Sequence, residues 1–79
     1  MNEQKVINAS IEERKELIDK NGNDYLVLIL GEESGERRVF VFPSRVKPER
    51  WGVLQEGQSF TFTIEESDRG SWLLADFSA

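Results

Sequence analysis

Rings and a guanidinium group recur at every second residue in one part of the chain, the spacing that places side chains on one face of a β-strand. Arg38, Phe40 and Phe42 follow this spacing, and Tyr25 opens an apolar run further upstream. Nucleobases stack on aromatic rings for ~1–3 kcal/mol per base, and an arginine binds phosphate or adds cation–π attraction. These residue types therefore indicate a surface suited to planar, negatively charged ligands.

The residue types that many enzymes use for catalysis are missing or unsuitably spaced. The chain contains no His and no Cys, which excludes a serine triad with histidine, a reactive thiolate and a zinc-bound water. Glu65 and Glu66 are adjacent on an extended segment and so point to opposite faces, and no glycine-rich phosphate loop is present. We therefore expect a binding protein rather than an enzyme, with no metal and no cofactor.

The charge of the chain is acidic overall but unevenly distributed. The formal net charge is −5, yet residues 36–50 hold five of the ten basic residues and only two of the fifteen acidic ones. Arg45, Lys47 and Arg50 in this segment could steer phosphates, or could form the solvated surface of a loop and helix. The acidic remainder favours weak, salt-dependent binding of an anionic ligand. It also leaves open the less common alternative that acidic side chains imitate phosphates.

Length and composition predict a single domain over residues 1–79, with residues 1–5 frayed. No apolar run approaches ~18 residues and no charged-then-apolar leader is present, so we expect neither a membrane span nor a signal peptide. A cytoplasmic location follows as the default expectation.

Five segments show the apolar alternation of half-buried strands. They are Val6–Glu12, Tyr25–Leu30, Arg37–Phe42, a strand containing Phe60, Phe62 and Ile64, and Ser71–Phe77. In the last of these, the alternation predicts that Leu73, Ala75 and Phe77 share one face and that Trp72, Leu74 and Asp76 share the other. Between the third and fourth strands, Pro48 opens a short helix whose apolar stripe is Trp51 and Leu54, and Trp51 is expected to plug one end of the domain.

A helical alternative competes over residues 11–20. Ser10 and Glu13 form a capping box, the segment is rich in helix formers, and Asn21-Gly22 suits a helix C-terminus. This interpretation would give an N-terminal helix packed on a four-stranded antiparallel sheet. The alternation from Val6 to Glu12 and the strands that follow favour a first strand instead.

The order of elements, β-β-β-α-β-β, predicts an all-β fold with a small five-stranded barrel of the OB type. A small curved sheet tends to close on itself, because closure removes exposed strand edges. An SH3-like barrel is the nearest alternative, but it lacks a helix at that position.

Several motifs resemble OB domains of the tRNA-anticodon-binding type, which occur in aminoacyl-tRNA synthetases, replication polymerases and exonucleases, and replication protein A. The resemblance covers roughly residues 6–77. It rests on Lys20-Asn21-Gly22-Asn23-Asp24-Tyr25-Leu26 continuing through Leu28 and Leu30 to Ser34-Gly35, on Leu54-Gln55-Glu56-Gly57-Gln58 before the Phe60–Ile64 strand, and on the Arg69-Gly70 turn. It implies a nucleic-acid-binding module.

In an OB barrel the ligand lies on the outer face of strands two and three, between the loops that join strands one and two and strands four and five. If the leucines of the second strand and the valines of the third fill the barrel, the outer face carries Tyr25, Val27, Ile29, Arg38, Phe40 and Phe42. The predicted ligand is single-stranded DNA or RNA. The predicted site residues are Tyr25, Phe40, Phe42 and Trp72 for base stacking, and Lys20, Arg37, Arg38 and Arg69 for phosphate.

The aliphatic side chains Val27 and Ile29 on the same outer face leave a second hypothesis open. They stack poorly with bases, so the same surface could be an apolar patch that docks another protein or a second copy of the chain.

Overall fold

The computed structural model describes residues 3–78 and consists of five strands and one short helix. The strands are β1 (Gln4–Ile18), β2 (Asp24–Glu32), β3 (Gly35–Val41), β4 (Ser59–Glu66) and β5 (Trp72–Ser78). They form a closed barrel in the order β1-β2-β3-β5-β4, and β4 pairs back to β1. The β3–β5 pairing is parallel and the other pairings are antiparallel. The predicted five-stranded closed barrel is confirmed, and its strand order is compatible with an OB-like fold.

Strand β1 closes the barrel because it pairs with two neighbours in succession. Gln4–Ser10 pair with β4, and Ser10–Ile18 pair with β2. The helical alternative for residues 11–20 is therefore wrong up to Ile18, since this backbone is engaged in a sheet ladder. Residues 4 and 5, within the segment for which fraying was predicted, pair with β4. Residues 1 and 2, for which fraying was also predicted, lie outside the described part of the chain.

A β-bulge interrupts the β1–β2 pairing at Glu12. Ile11 lies opposite Leu30, but the next paired residue is Glu13, opposite Ile29. Because the bulge adds one residue, the side-chain alternation changes phase along β1. Odd-numbered residues face inward before the bulge, as with buried Ile11, whereas after it they face outward.

The barrel interior is filled by apolar side chains, and no polar or charged residue among residues 3–78 is buried. The buried residues are Ala9, Ile11, Leu26, Leu28, Leu30, Val39, Val41, Val46, Trp51, Leu54, Phe62, Ile64, Leu74 and Phe77. The inward alternation expected for the leucines of β2 and the valines of β3 is confirmed. Stability therefore rests on apolar burial in a closed cylinder rather than on cross-links.

Strand β5 departs from the predicted alternation because it carries a second bulge. Ile64 of β4 lies opposite Leu74, and Thr63 lies opposite Asp76, so Ala75 is the extra residue. Leu74 and Phe77 are both buried, although the alternation placed them on opposite faces. The bulge shifts the phase between them and brings both into the core.

The helix between β3 and β4 is a 3-10 helix, Pro48–Val53. Trp51 and Leu54 are buried, as their spacing predicts, and the Trp51 Nε1–H donates to the Val46 carbonyl oxygen at 2.9 Å. This bond fixes the buried indole to the loop that follows β3. Among residues 3–78, no helix is both long enough and apolar enough to cross a lipid bilayer.

Candidate functional site

The pleat of β2 and β3 places different side chains on the two faces of the sheet. Leu28 lies opposite Val39, and both are fully buried. One residue away, Val27 lies opposite Phe40, and both are half-buried on the outer surface. The outward orientation expected for this face therefore holds, because the sheet has kept its register without a bulge between β2 and β3.

Three rings gather on the outer face to form an aromatic cluster, defined as Tyr25, Phe40 and Phe42. The Tyr25 centroid lies 6.5 Å from that of Phe40 and 5.7 Å from that of Phe42, and the two phenylalanine centroids are 6.3 Å apart. The phenylalanine rings are nearly parallel, with planes 11° apart. All three side chains are half-buried, so the cluster is a pre-assembled apolar platform that still faces solvent.

The second half of β1 forms the other wall of this surface. Beyond the Glu12 bulge, Glu13, Lys15 and Leu17 face outward, and the Lys15 Nζ lies 3.8 Å from a Glu13 carboxylate oxygen. The resulting depression, here called the outer groove, has a volume of about 260 Å³. It is lined by Glu13, Lys15, Leu17, Tyr25, Val27, Ile29, Arg38 and Phe40. Sequence reasoning missed the three β1 residues because the bulge reverses the alternation that would have revealed them.

A second depression, the rim hollow, adjoins the outer groove at Arg38 and Phe40. Its volume is about 540 Å³. It is lined by Glu32, Ser34, Glu36, Arg37, Arg38, Phe40, Gly70, Ser71 and Trp72. The two depressions together run from β1, across β2 and β3, to the β4–β5 turn.

Arg37 is held firmly at the rim hollow. Its Nε and Nη2 donate to the two carboxylate oxygens of Glu32 at 2.9 and 3.2 Å. Its Cζ lies 4.8 Å from the centroid of the Trp72 ring. The hydrogen bond raises the pKa of Arg37 above its usual value, and hydrogen bonds from Arg37 and Ser34 lower the pKa of Glu32. Both groups are therefore charged at neutral pH.

Trp72 lies at the rim rather than on the outer face. Its side chain is half-buried and packs against the core. Besides Arg37, the Lys5 Nζ approaches its ring, 5.7 Å from the centroid. The Trp72 ring is thus approached by two cations of the chain itself. Base stacking by Trp72 stays a prediction.

Among the cations without an ion pair in the described residues, Arg38 lines both depressions. Within residues 3–78, five basic residues form ion pairs shorter than 4 Å: Arg14 with Glu16, Lys15 with Glu13, Arg37 with Glu32, Arg45 with Glu65 and Arg50 with Asp76. Lys20, Arg38 and Arg69 have no ion pair with any residue in the 3–78 range. Lys20 lies in the β1–β2 turn, Arg38 on the outer face of β3 and Arg69 in the β4–β5 turn. All three are exposed, so they remain available to an anionic ligand.

The basic segment around the 3-10 helix is divided by ion pairing. Arg45 Nη1 lies 2.9 Å from a Glu65 carboxylate oxygen, and Arg50 Nη1 lies 3.2 Å from an Asp76 carboxylate oxygen. Arg50 also donates to the Phe77 carbonyl oxygen at 3.3 Å. These two arginines thus connect the helix region to β4 and β5. Their ion pairs favour a structural role over phosphate steering for Arg45 and Arg50.

No set of three His, Cys, Asp or Glu side chains within residues 3–78 is placed to hold a metal ion. Comparisons of the chain with protein-family models, with curated proteins and with solved structures found no match. The geometry of the outer groove and the rim hollow is therefore the feature that indicates a function.

Proposed function

We propose that this protein binds short segments of single-stranded DNA or RNA along the outer groove and the rim hollow. The observation that carries the proposal is the half-buried aromatic cluster on the outer face together with the exposed Arg38, which has no ion pair in the described residues and lines both depressions with Phe40. Arg38 adjoins Phe40 within the depressions, and Lys20 and Arg69 lie in the two turns that flank the face. This is the arrangement in which bases stack on rings while cations follow the backbone.

The affinity should be modest because few cations take part. With about three phosphates neutralised, the logarithm of the association constant should fall with the logarithm of salt concentration with a slope of about −2. The acidic side chains elsewhere on the molecule oppose approach of a polyanion, so tight binding at physiological salt is not expected.

Titration with short oligonucleotides tests the proposal. Tyrosine and tryptophan fluorescence should be quenched by dT, rU or other homopolymers at low salt, and the quenching should weaken as salt is added. Replacing Phe40 by leucine keeps apolar volume but removes the ring, so binding should weaken by about fivefold or more. Absence of quenching by every homopolymer at low salt would refute the proposal.

A charge-matched pair of variants separates specific from general electrostatics. Arg38→Gln and Lys47→Gln each remove one positive charge, and both side chains are exposed and without an ion pair in the described part of the chain. Lys47 lines neither depression. Arg38→Gln should reduce the magnitude of the salt slope by about 0.7, whereas Lys47→Gln should leave it nearly unchanged.

A second candidate function is protein docking on the same face, which the aliphatic wall of the outer groove favours. Leu17, Val27 and Ile29 line this wall, and Leu17 is 40% exposed. Under this hypothesis Phe40→Leu would preserve binding because apolar contact is retained. A dimer in sedimentation, combined with no response to oligonucleotides, would favour docking over nucleic-acid binding.

A further inference from the structure

The Arg37 guanidinium is constrained on two sides by groups from different strands. Glu32, at the end of β2, accepts hydrogen bonds from Nε and Nη2, while Trp72, at the start of β5, lies against the guanidinium. An arginine held on one edge and one face has lost most of its rotamer freedom before any ligand arrives.

Glu32 is itself fixed, so the constraint on Arg37 is rigid. The Ser34 hydroxyl donates to the Glu32 Oε1 at 2.8 Å within the β2–β3 turn. The side chains of Glu32 and Arg37 are only 13% and 19% exposed. Partial burial of a bidentate pair makes it stronger and less sensitive to salt than an exposed ion pair.

One part of the Arg37 guanidinium remains unused. Its Nη1 donates to no residue within 3–78, and the side chain lines the rim hollow. The Nη1–Nη2 edge of a guanidinium matches two oxygens of a phosphate group, even when the Nε–Nη2 edge is already bonded to a carboxylate.

We propose that Arg37 binds one phosphate group of the bound strand through this free edge, and that Glu32 and Trp72 are positioning residues that hold the guanidinium for that contact. The inference rests on the proposed nucleic-acid function and deepens it. Under this inference, the face of the Trp72 ring that contacts Arg37 holds the guanidinium in place and does not stack a base.

Two roles of Glu32 predict opposite changes in oligonucleotide affinity when its charge is removed: simple repulsion of the phosphate, and positioning of Arg37. A carboxylate beside a phosphate site repels the ligand, so its neutralisation alone should strengthen binding. If Glu32 instead positions Arg37, Glu32→Gln should weaken binding although it removes a negative charge.

The experiment compares Glu32→Gln with Glu33→Gln, using the oligonucleotide that binds the wild-type chain most tightly at low salt. Glu33 is exposed and directly follows Glu32 at the start of the β2–β3 turn, so it is a matched control for charge. We expect Glu32→Gln to weaken binding roughly three- to tenfold, and Glu33→Gln to strengthen it up to about twofold. Circular dichroism checks that both variants are folded.

A second readout follows Arg37 directly and can be recorded before any ligand is added. The Nε–H of Arg37 should give a sharp, slowly exchanging NMR signal in the free wild-type protein, because Glu32 holds it, and the signal should shift when oligonucleotide is added. Glu32→Gln and Trp72→Leu should each broaden this signal. Arg37→Lys keeps the charge but cannot be held in the same way, so it should lose nearly as much affinity as Arg37→Ala.

The outcomes distinguish the inference from the function on which it rests. If the wild-type chain binds no oligonucleotide, the proposed function fails. If the wild type binds but Glu32→Gln binds at least as tightly as the wild type, or Arg37→Lys retains wild-type affinity, the positioning role of Glu32 is refuted while the proposed function stands.

Discussion

At the level of single residues, the Glu12 bulge brings two carboxyl groups together. Glu12 extends over Gly31 of β2, where a Cβ atom would collide with its carboxylate, and it shares a hydrogen bond with Glu36 on β3. This hydrogen bond, followed by desolvation and by repulsion from Glu36, raises the pKa of Glu12. A glycine at position 31 leaves room for the bulged side chain to cross β2.

Glu12→Gln should therefore stabilise the protein at neutral pH. Because the pKa of Glu12 is raised on folding, its contribution to stability is fully present below the unfolded pKa and is lost as pH rises through the folded pKa. Glutamine retains a hydrogen-bond donor and carries no charge, so the Tm should rise at about pH 8 and stay nearly unchanged at about pH 4, as measured by thermal unfolding.

Glu13→Gln is the control for this effect, since Glu13 faces Lys15 rather than another carboxylate. It should leave the Tm at about pH 8 unchanged or lower it slightly. Equal increases in both variants would indicate relief of general negative charge and contradict a specific effect of Glu12 and Glu36.

At the level of elements, the β1–β2 turn is built from local hydrogen bonds and one left-handed residue. The Asp19 carboxylate accepts from the backbone N–H groups of Asn21 and Asn23 at 2.8 and 2.9 Å. Gly22 adopts a φ of +83°, which glycine reaches without steric cost. The same Asn-Gly pair that suited a helix C-terminus instead closes a hairpin, because both structures need a residue with positive φ there.

Gly22→Ala should destabilise the protein by about 1–2 kcal/mol, because an alanine in the left-handed region brings its Cβ close to the following carbonyl oxygen. Gly52 in the 3-10 helix is the matched control, since its φ is not in that region and a methyl group on its Cα would extend into open space. Gly52→Ala should be neutral or stabilising by up to about 1 kcal/mol. Urea denaturation measures both, and an equal loss in the two variants would contradict the role of φ.

At the level of the whole molecule, closure of the barrel relies on a short seam. Strands β3 and β5 pair over only two residue pairs, Val39 with Trp72 and Phe40 with Leu73. A side-chain contact spans the same seam, since the Cζ of Arg37 on β3 lies 4.8 Å from the centroid of the Trp72 ring on β5. This side-chain contact thus supplements a short backbone ladder.

The pH dependence of stability should show a maximum at mildly acidic pH. Hydrogen bonds from Arg37 and Ser34 lower the pKa of Glu32, and the Phe77 N–H followed by Arg50 lowers that of Asp76. Stability from these two groups is present above their unfolded pKa values, near 4, and is lost as pH falls through the lower folded values. At higher pH stability should fall, because ionised Glu12, whose pKa is raised on folding, destabilises the folded state and the net negative charge of the protein increases.

Urea denaturation between about pH 3 and pH 8 measures this profile, and the maximum should lie near pH 5. Glu32→Gln should make the acid limb shallower, because one carboxylate with a lowered pKa has been removed. A stability that rises steadily from pH 5 to pH 8 would contradict the expected balance.

The fold was predictable wherever the inward–outward alternation of side chains continues without a bulge along a whole strand. In β2, β3 and β4 the alternation assigned the core correctly, since the pleat is local and every second side chain faces the same way. Val46, in the loop after β3, carried no such periodic signal, yet it is buried and accepts the hydrogen bond of Trp51. The aromatic cluster was predictable for the same reason as the core, whereas the β1 wall of the outer groove was not.

By itself, the sequence determined the strand count, the apolar interior and the outward rings on β2 and β3, because these depend on side-chain alternation within single strands. Only the tertiary structure decided where the alternation breaks. The bulges at Glu12 and Ala75 interrupt the ladders that β1 forms with β2 and β5 forms with β4, and they set which side chains reach the groove and the core. Such a break belongs to the pairing of two strands and is not visible in the alternation of either strand alone. Tertiary contact also decided that Arg37 lies between Glu32 and Trp72, since that geometry joins strands that no local pattern connects.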